Sequence, residues 1–77
     1  MKTCVIIPAY NESKAIAGLI KSVRGYVADT VVVDDGSTDN TAELARQSGA
    51  VVLSFGYNAG KGKALKDGFD YAVKNGY

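Results

Sequence analysis

The sequence contains no histidine and a single cysteine, Cys4. One thiol forms no internal disulfide, and without histidine no structural zinc site can be assembled. Cys4 lies inside an apolar run, the setting of a buried small hydrophobe in a reducing compartment, and it has no neighbour that would activate it as a nucleophile. Charge of one sign is also lacking: nine lysines and arginines face eight acids, for a net charge of +1. This balance excludes nucleic-acid or anionic-membrane binding through bulk electrostatics, so any ligand must be held by local chemistry. No apolar run approaches the ~20 residues that span a bilayer. The start has no signal-peptide apolar stretch and no small-residue cleavage site, so Met1-Lys2-Thr3 reads as a cytosolic beginning.

What is present fits a globular α/β segment of 77 residues with 47% hydrophobic and 22% charged residues. A domain of this size buries only ~60% of its unfolded surface. An α/β layer usually needs more than three strands to cover its core, so the chain reads as part of a larger domain.

Cys4-Val5-Ile6-Ile7 is a β-branched run stopped by the sole proline, Pro8, the pattern of a strand buried on both faces of a parallel sheet. Asn11 is placed to cap a helix of about 14 residues in which Ile16, Leu19, Ile20 and Val23 form one apolar stripe ending at Gly25. Thr30 to Val33 form a second buried strand that leads into Asp34-Asp35-Gly36-Ser37-Thr38-Asp39. Ser37 or Thr38 is the expected cap of a short second helix, with Thr41, Leu44, Ala45 and Ser48 facing inward. Ala50 to Leu53 form a third strand. A glycine-rich loop from Gly56 to Gly62 follows, and then a helix with Leu65, Gly68, Phe69, Ala72 and Val73 on one face. Gly68 would let that helix sit close to the sheet.

Three β-then-α units without a hairpin signal predict a parallel sheet with right-handed crossovers, strand order 3-2-1, and flanking helices in three layers. This is a Rossmann-like half of a doubly wound fold, whose ligands bind beyond the carboxyl ends of the strands. The first strand's all-apolar character suits a neighbour on each side, so its open edge is an expected site of self-association.

The loop after the first strand, Pro8 to Glu12, has no glycine and so does not match the dinucleotide fingerprint. Gly56 to Gly60 encloses three residues where a P-loop has four, and Gly62 replaces the magnesium-binding Ser/Thr. What remains is a site built from three strand ends. Tyr10 offers a flat surface for a base, the acids accept hydrogen bonds from base or ribose, and Lys61 and Lys63 in a glycine-rich loop can meet phosphate. Together they describe a nucleotide pocket. Other readings of these residues are a nucleotidyltransferase-related domain, which should carry a basic glycine-rich loop after the first strand, and a non-enzymatic flavodoxin-like or nucleotide-binding module using Asp34 and Asp35 as an acidic pocket.

Val5-Ile6-Ile7-Pro8-Ala9-Tyr10-Asn11-Glu12, Val31 to Thr41 and Asn58-Ala59-Gly60-Lys61-Gly62-Lys63-Ala64 resemble the amino-terminal half of family 2 glycosyltransferases of GT-A fold. The last block most resembles the polyprenyl-phosphate and dolichyl-phosphate sugar transferases. The resemblance implies that residues 1–77 are a partial nucleotide-sugar-binding domain of an inverting enzyme, one that takes a UDP- or GDP-linked sugar to a lipid-phosphate or glycan acceptor. By position, Pro8, Ala9 and Tyr10 would frame the base, Glu12 would meet the ribose, Asp35 the base edge and Lys61 the diphosphate, with Asp34 and Ser37 beside them. The resemblance also implies a cytoplasmic protein, placed at the membrane face where the acceptor is a lipid phosphate. The family's Mg²⁺ or Mn²⁺ is held by an Asp-x-Asp motif after a fourth strand, which residues 1–77 do not contain, nor is the later catalytic acid present. No metal held by protein ligands and no transfer activity are therefore expected of residues 1–77 alone.

Overall fold

The computed structural model describes residues 3–27, 29–54 and 60–77, apart from the Lys61 side chain. Three strands, β1 (Cys4–Ala9), β2 (Asp29–Asp34) and β3 (Val51–Ser54), alternate with three helices, α1 (Ile16–Arg24), α2 (Thr41–Gln47) and α3 (Lys61–Lys74). All pairing is parallel in the order β1-β2-β3, with Ile7 opposite Val32 and Val32 opposite Val52. This is the order expected from the β-then-α alternation.

The strand period of two divides the core between the two sheet faces. Ile7, Ala9, Val32 and Val52 pack with Ile16, Ile20, Leu44 and Ala45, so α1 and α2 cover one face. Cys4, Ile6, Val31, Val33 and Leu53 pack with Ala64 and Tyr71, so α3 covers the other. Val31, Val32 and Val33 are each 1% exposed or less, which makes β2 the centre of the layer. Beside the amino-terminal ends of the strands, a hydrogen bond to Asp29 pushes the Tyr77 phenol up to about 12.

Four local expectations are corrected. Pro8 does not stop β1 but lies inside it. The Ala9 carbonyl accepts from Asp35 N, at 2.8 Å, which turns the odd-numbered backbone groups of β1 toward β2. Pro8 N therefore faces the open edge, where a missing N–H breaks no ladder bond. Second, α1 has 9 residues and begins at Ile16. Asn11 does not cap it. Asn11 stands at φ 51°, a left-handed conformation that asparagine tolerates, and its side chain is engaged elsewhere.

Third, α2 starts at Thr41, after Asn40, and neither Ser37 nor Thr38 caps it. The Thr41 N–H is instead taken by Asp39 Oδ1 at 3.0 Å. Thr41 and Ala45 do face inward, fully buried. Fourth, the inward face of α3 is Ala64, Gly68 and Ala72, whereas Leu65, Phe69 and Val73 are exposed. Small residues let the helix approach. A Cβ on Gly68 would lie 2.5 Å from Ile6 Cγ2, so at this separation the larger side chains fit only on the flank.

Candidate functional site

The carboxyl ends of β1 and β2 converge on a cavity of about 240 Å³ lined by Pro8, Ala9, Tyr10, Glu12, Asp35 and Ala64. A larger open depression, about 630 Å³, lies between α1 and the end of α2 and is lined by Ala17, Gly18, Lys21, Arg24, Gly25 and Ser48. None of the strand-end residues reaches it, so the chemistry belongs to the smaller cavity.

Asp34 and Asp35 leave β2 on opposite faces, as strand alternation requires. Both are buried, at 4% and 5% exposure. Asp34 Oδ1 accepts from Ser37 N at 3.2 Å and thereby shapes the turn after β2. Asp35 Oδ2 reaches across to the start of α3 and accepts from Gly60 N at 2.9 Å. Gly60 has φ 92°, a conformation disfavoured for residues with a Cβ, and the helix begins at the next residue. Asp35 thus ties the end of β2 to the beginning of α3 at the floor of the cavity. Buried carboxylates persist when they receive hydrogen bonds of this kind.

Tyr10 is 44% exposed at the rim, with its ring available for stacking. Glu12 is exposed beside it. The turn carrying both is bonded to the loop after β2: Asn11 N donates to Ser37 Oγ at 2.9 Å, and Thr38 N donates to Asn11 Oδ1 at 2.8 Å. Asp39 accepts from both Thr41 and Ser13, and these bonds, that of the Thr41 hydroxyl first, hold its carboxyl below the usual value.

Of the residues singled out in sequence, Pro8, Ala9, Tyr10, Glu12 and Asp35 are brought together around one cavity. Asp34 and Ser37 stand behind it, engaged in the turn. Lys61 opens α3, but its side chain lies outside the described residues, as do residues 55–59, which include Asn58, Ala59 and the first part of the glycine-rich loop expected from Gly56 to Gly62. Lys63 Nζ pairs with Asp67 at 2.9 Å and Lys66 Nζ with Asp70 at 3.4 Å, both along the exposed helix surface. Sequence reasoning did not single out Ala64 as a lining residue, nor the contacts of Asn11 and Thr41 that support the turn. Ala64 follows the glycine-rich loop, and its small size at a helix start was the available signal.

The family model described as glycosyl transferase family 2 matches residues 4–75, nearly the whole chain. The chain belongs to this family. Glycosyltransferase AglJ of Haloferax volcanii is 40% identical over 77 residues, covering 96% of this chain and 24% of that protein. A 4,4'-diaponeurosporenoate glycosyltransferase of Staphylococcus aureus is 40% identical over 78 residues, covering 92% of this chain and 21% of that one. Among solved structures, glucosyl-3-phosphoglycerate synthase of Mycobacterium tuberculosis, crystallised with Mn²⁺, UDP-glucose and glycerol 3-phosphate, superposes with a TM-score of 0.72 at 36% identity. The match covers 83% of this chain and 27% of that one. The chain therefore spans about a quarter of the length of these relatives. The three-stranded layer is the GT-A type of α/β fold that the sequence blocks anticipated.

Among the described residues no group of three or more His, Cys, Asp or Glu side chains is placed to hold a metal ion. Among the same residues no helix is long and apolar enough to cross a membrane.

Proposed function

We propose that residues 1–77 form part of the nucleotide-sugar-binding domain of an inverting glycosyltransferase, with the cavity beyond β1 and β2 receiving the nucleoside. The convergence of Tyr10, Glu12 and the buried Asp35 on that cavity carries this reading. Tyr10 supplies a half-exposed aromatic face for the base. Asp35 supplies a buried acceptor for a base N–H, and Glu12 an exposed acceptor for ribose hydroxyls. Pro8 and Ala9 form the wall that excludes water from one side of the base, while Asp34 and Ser37 hold the turn behind it. Lys61, at the start of α3, is the residue of this set suited to the diphosphate.

The donor is a UDP- or GDP-linked sugar, and the acceptor a polyprenyl phosphate or glycan. Departure of a nucleoside diphosphate needs charge neutralisation, which a divalent ion supplies in such chemistry. No group of metal-ligating side chains stands among the described residues, and in this reading residues 1–77 alone are expected to bind nucleotide without transferring sugar. The place of action is the cytoplasmic side, at the membrane face where a lipid acceptor is used. The open β1 edge is where a second copy of an isolated chain would pair, although Pro8 removes one N–H from it; sedimentation across a concentration series tests that association.

Calorimetric titration of the chain with UDP and GDP, repeated with Tyr10→Ala and Asp35→Ala, tests the pocket. Binding of one diphosphate, weakened about tenfold or more by each substitution, is the expected result. Binding that neither substitution alters would place the nucleoside elsewhere.

A further inference from the structure

Three consecutive main-chain N–H groups of the turn after β1 are bonded to side chains 26 to 29 positions away in sequence. Asn11 N donates to Ser37 Oγ at 2.9 Å, Glu12 N to Thr41 Oγ1 at 2.9 Å, and Ser13 N to Asp39 Oδ2 at 3.3 Å. Thr38 N returns a bond to Asn11 Oδ1 at 2.8 Å. Each loop also has bonds of its own, Ala15 N to the Glu12 carbonyl in the first and Ser37 N to Asp34 Oδ1 in the second, and these four bonds between them fix one loop against the other.

Thr41 is the pivot of this arrangement. It is fully buried, and its hydroxyl has one proton and two lone pairs. The proton goes to Asp39 Oδ1, which leaves a lone pair for Glu12 N. Asp39 thus sets the rotor that makes Thr41 an acceptor, while its other oxygen takes Ser13 N. The chain reverses at Asn11, φ 51°, between Tyr10 and Glu12, so the bonds at residues 11 to 13 fix where those two side chains stand at the cavity.

We propose that Asp39 and Thr41, which do not line the cavity, are positioning residues for the nucleotide site: they clamp the main chain of Glu12 and Ser13 and so hold the turn that presents Tyr10 and Glu12. This rests on the reading of the cavity as a nucleotide site. A role confined to starting α2 predicts something different. In Thr41→Val the main-chain N–H at position 41 still meets Asp39, so helix initiation survives, but Glu12 N loses its acceptor. Thr41→Ser restores the hydroxyl.

The test uses the whole 77-residue chain, with amide hydrogen exchange at Glu12 and Ser13 and calorimetric titration with UDP and GDP, on wild type, Thr41→Val, Thr41→Ser and Asp39→Asn. Thr41→Val should exchange at Glu12 at least ~10-fold faster than wild type. Its affinity for whichever diphosphate the wild type binds should fall at least ~10-fold, and Thr41→Ser should recover both quantities. Unchanged Glu12 exchange in Thr41→Val overturns the clamp. Faster exchange with unchanged affinity overturns the positioning role. If Thr41→Val does not fold, Asp39→Asn serves in its place with Ser13 exchange as the readout: unchanged exchange again overturns the clamp, and faster exchange with unchanged affinity the positioning role. A wild type that binds neither diphosphate overturns the reading of the cavity and the positioning role with it, while Glu12 exchange still decides the clamp.

Discussion

Gly68 of α3 lies directly over Ile6 of β1, and a Cβ added there would stand 2.5 Å from Ile6 Cγ2 and 3.3 Å from Val33 Cγ2. Both neighbours are β-branched and stiff at χ1, so neither methyl can swing aside freely. Gly68→Ala gains up to ~1 kcal/mol in helix propensity and loses more by overpacking, which costs ~1–3 kcal/mol. Net destabilisation is expected, read as a lower urea midpoint at unchanged slope. Ile6→Ala combined with Gly68→Ala should be less destabilised than the sum of the two single changes. Additive effects would mean that α3 simply moves away.

Asp35 gives a second prediction, because its carboxylate has a structural partner as well as a proposed ligand. Asp35→Asn keeps an oxygen that can accept from Gly60 N, and the group is buried, so the fold should be retained with a modest loss of stability. The amide cannot supply the charged acceptor, and hydrogen bonds to charged groups contribute ~1.5–3 kcal/mol. Nucleotide affinity should therefore fall about tenfold to a hundredfold in titration. A variant that binds as well as wild type would remove Asp35 from the base contact.

The extent to which the sequence was legible follows the range of the forces involved. The β-branched runs at residues 5–7, 30–33 and 51–52 announce parallel strands, and the strand order follows from the absence of hairpins; burial on both faces holds for β2, whereas β1, at the sheet edge, is half-buried up to Pro8 and Val51 of β3 is exposed. The inward placement of Thr41 and Ala45 and the close approach at Gly68 were also readable. Asn11 was not, because its cap propensity is a local quantity, whereas its conformation is fixed by Ser37 and Thr38, 26 and 27 positions later. The α3 face was misread for a different reason. Hydrophobicity selects Leu65, Phe69 and Val73, but the gap above Ile6 admits only Ala64, Gly68 and Ala72, and no one-dimensional pattern contains that gap. At the site, the strand-end rule located Pro8, Ala9, Tyr10, Glu12 and Asp35 together. The support from Asp39 and Thr41 is tertiary, and Asp39 in sequence looks like an ordinary helix-start acid.

Thr30 yields a stability prediction of opposite sign. Its side chain is 3% exposed, and Oγ1 has no hydrogen-bond partner among the described residues. A buried unpaired hydroxyl costs ~1–3 kcal/mol, and valine has nearly the same shape with higher strand preference. Thr30→Val should raise the urea midpoint by an amount worth about 1 kcal/mol. A lowered midpoint would show that the hydroxyl is satisfied in solution.

Asp39 makes the fold sensitive to acid in a definable window. Its carboxyl is held below the ordinary value of 3.8 by the hydrogen bond from the Thr41 hydroxyl first, and by the bonds from Ser13 N and Thr41 N. The unfolded chain therefore binds this proton more readily than the folded one, and stability rises with pH through this interval. The contribution is complete above 3.8, declines as pH falls through that value, and is gone once pH is below the lower folded value. Asp39→Asn carries no such charge, so its urea midpoint should lie below wild type at about pH 6 and converge on it as pH falls below 3.8. Because the same bonds hold Ser13 and, through Thr41, Glu12, the protection of both amides relative to their intrinsic exchange rates at each pH should fall in wild type over the same acid interval. A gap between the two proteins that stays constant across that range would show that the ionised carboxylate adds nothing beyond what the amide supplies.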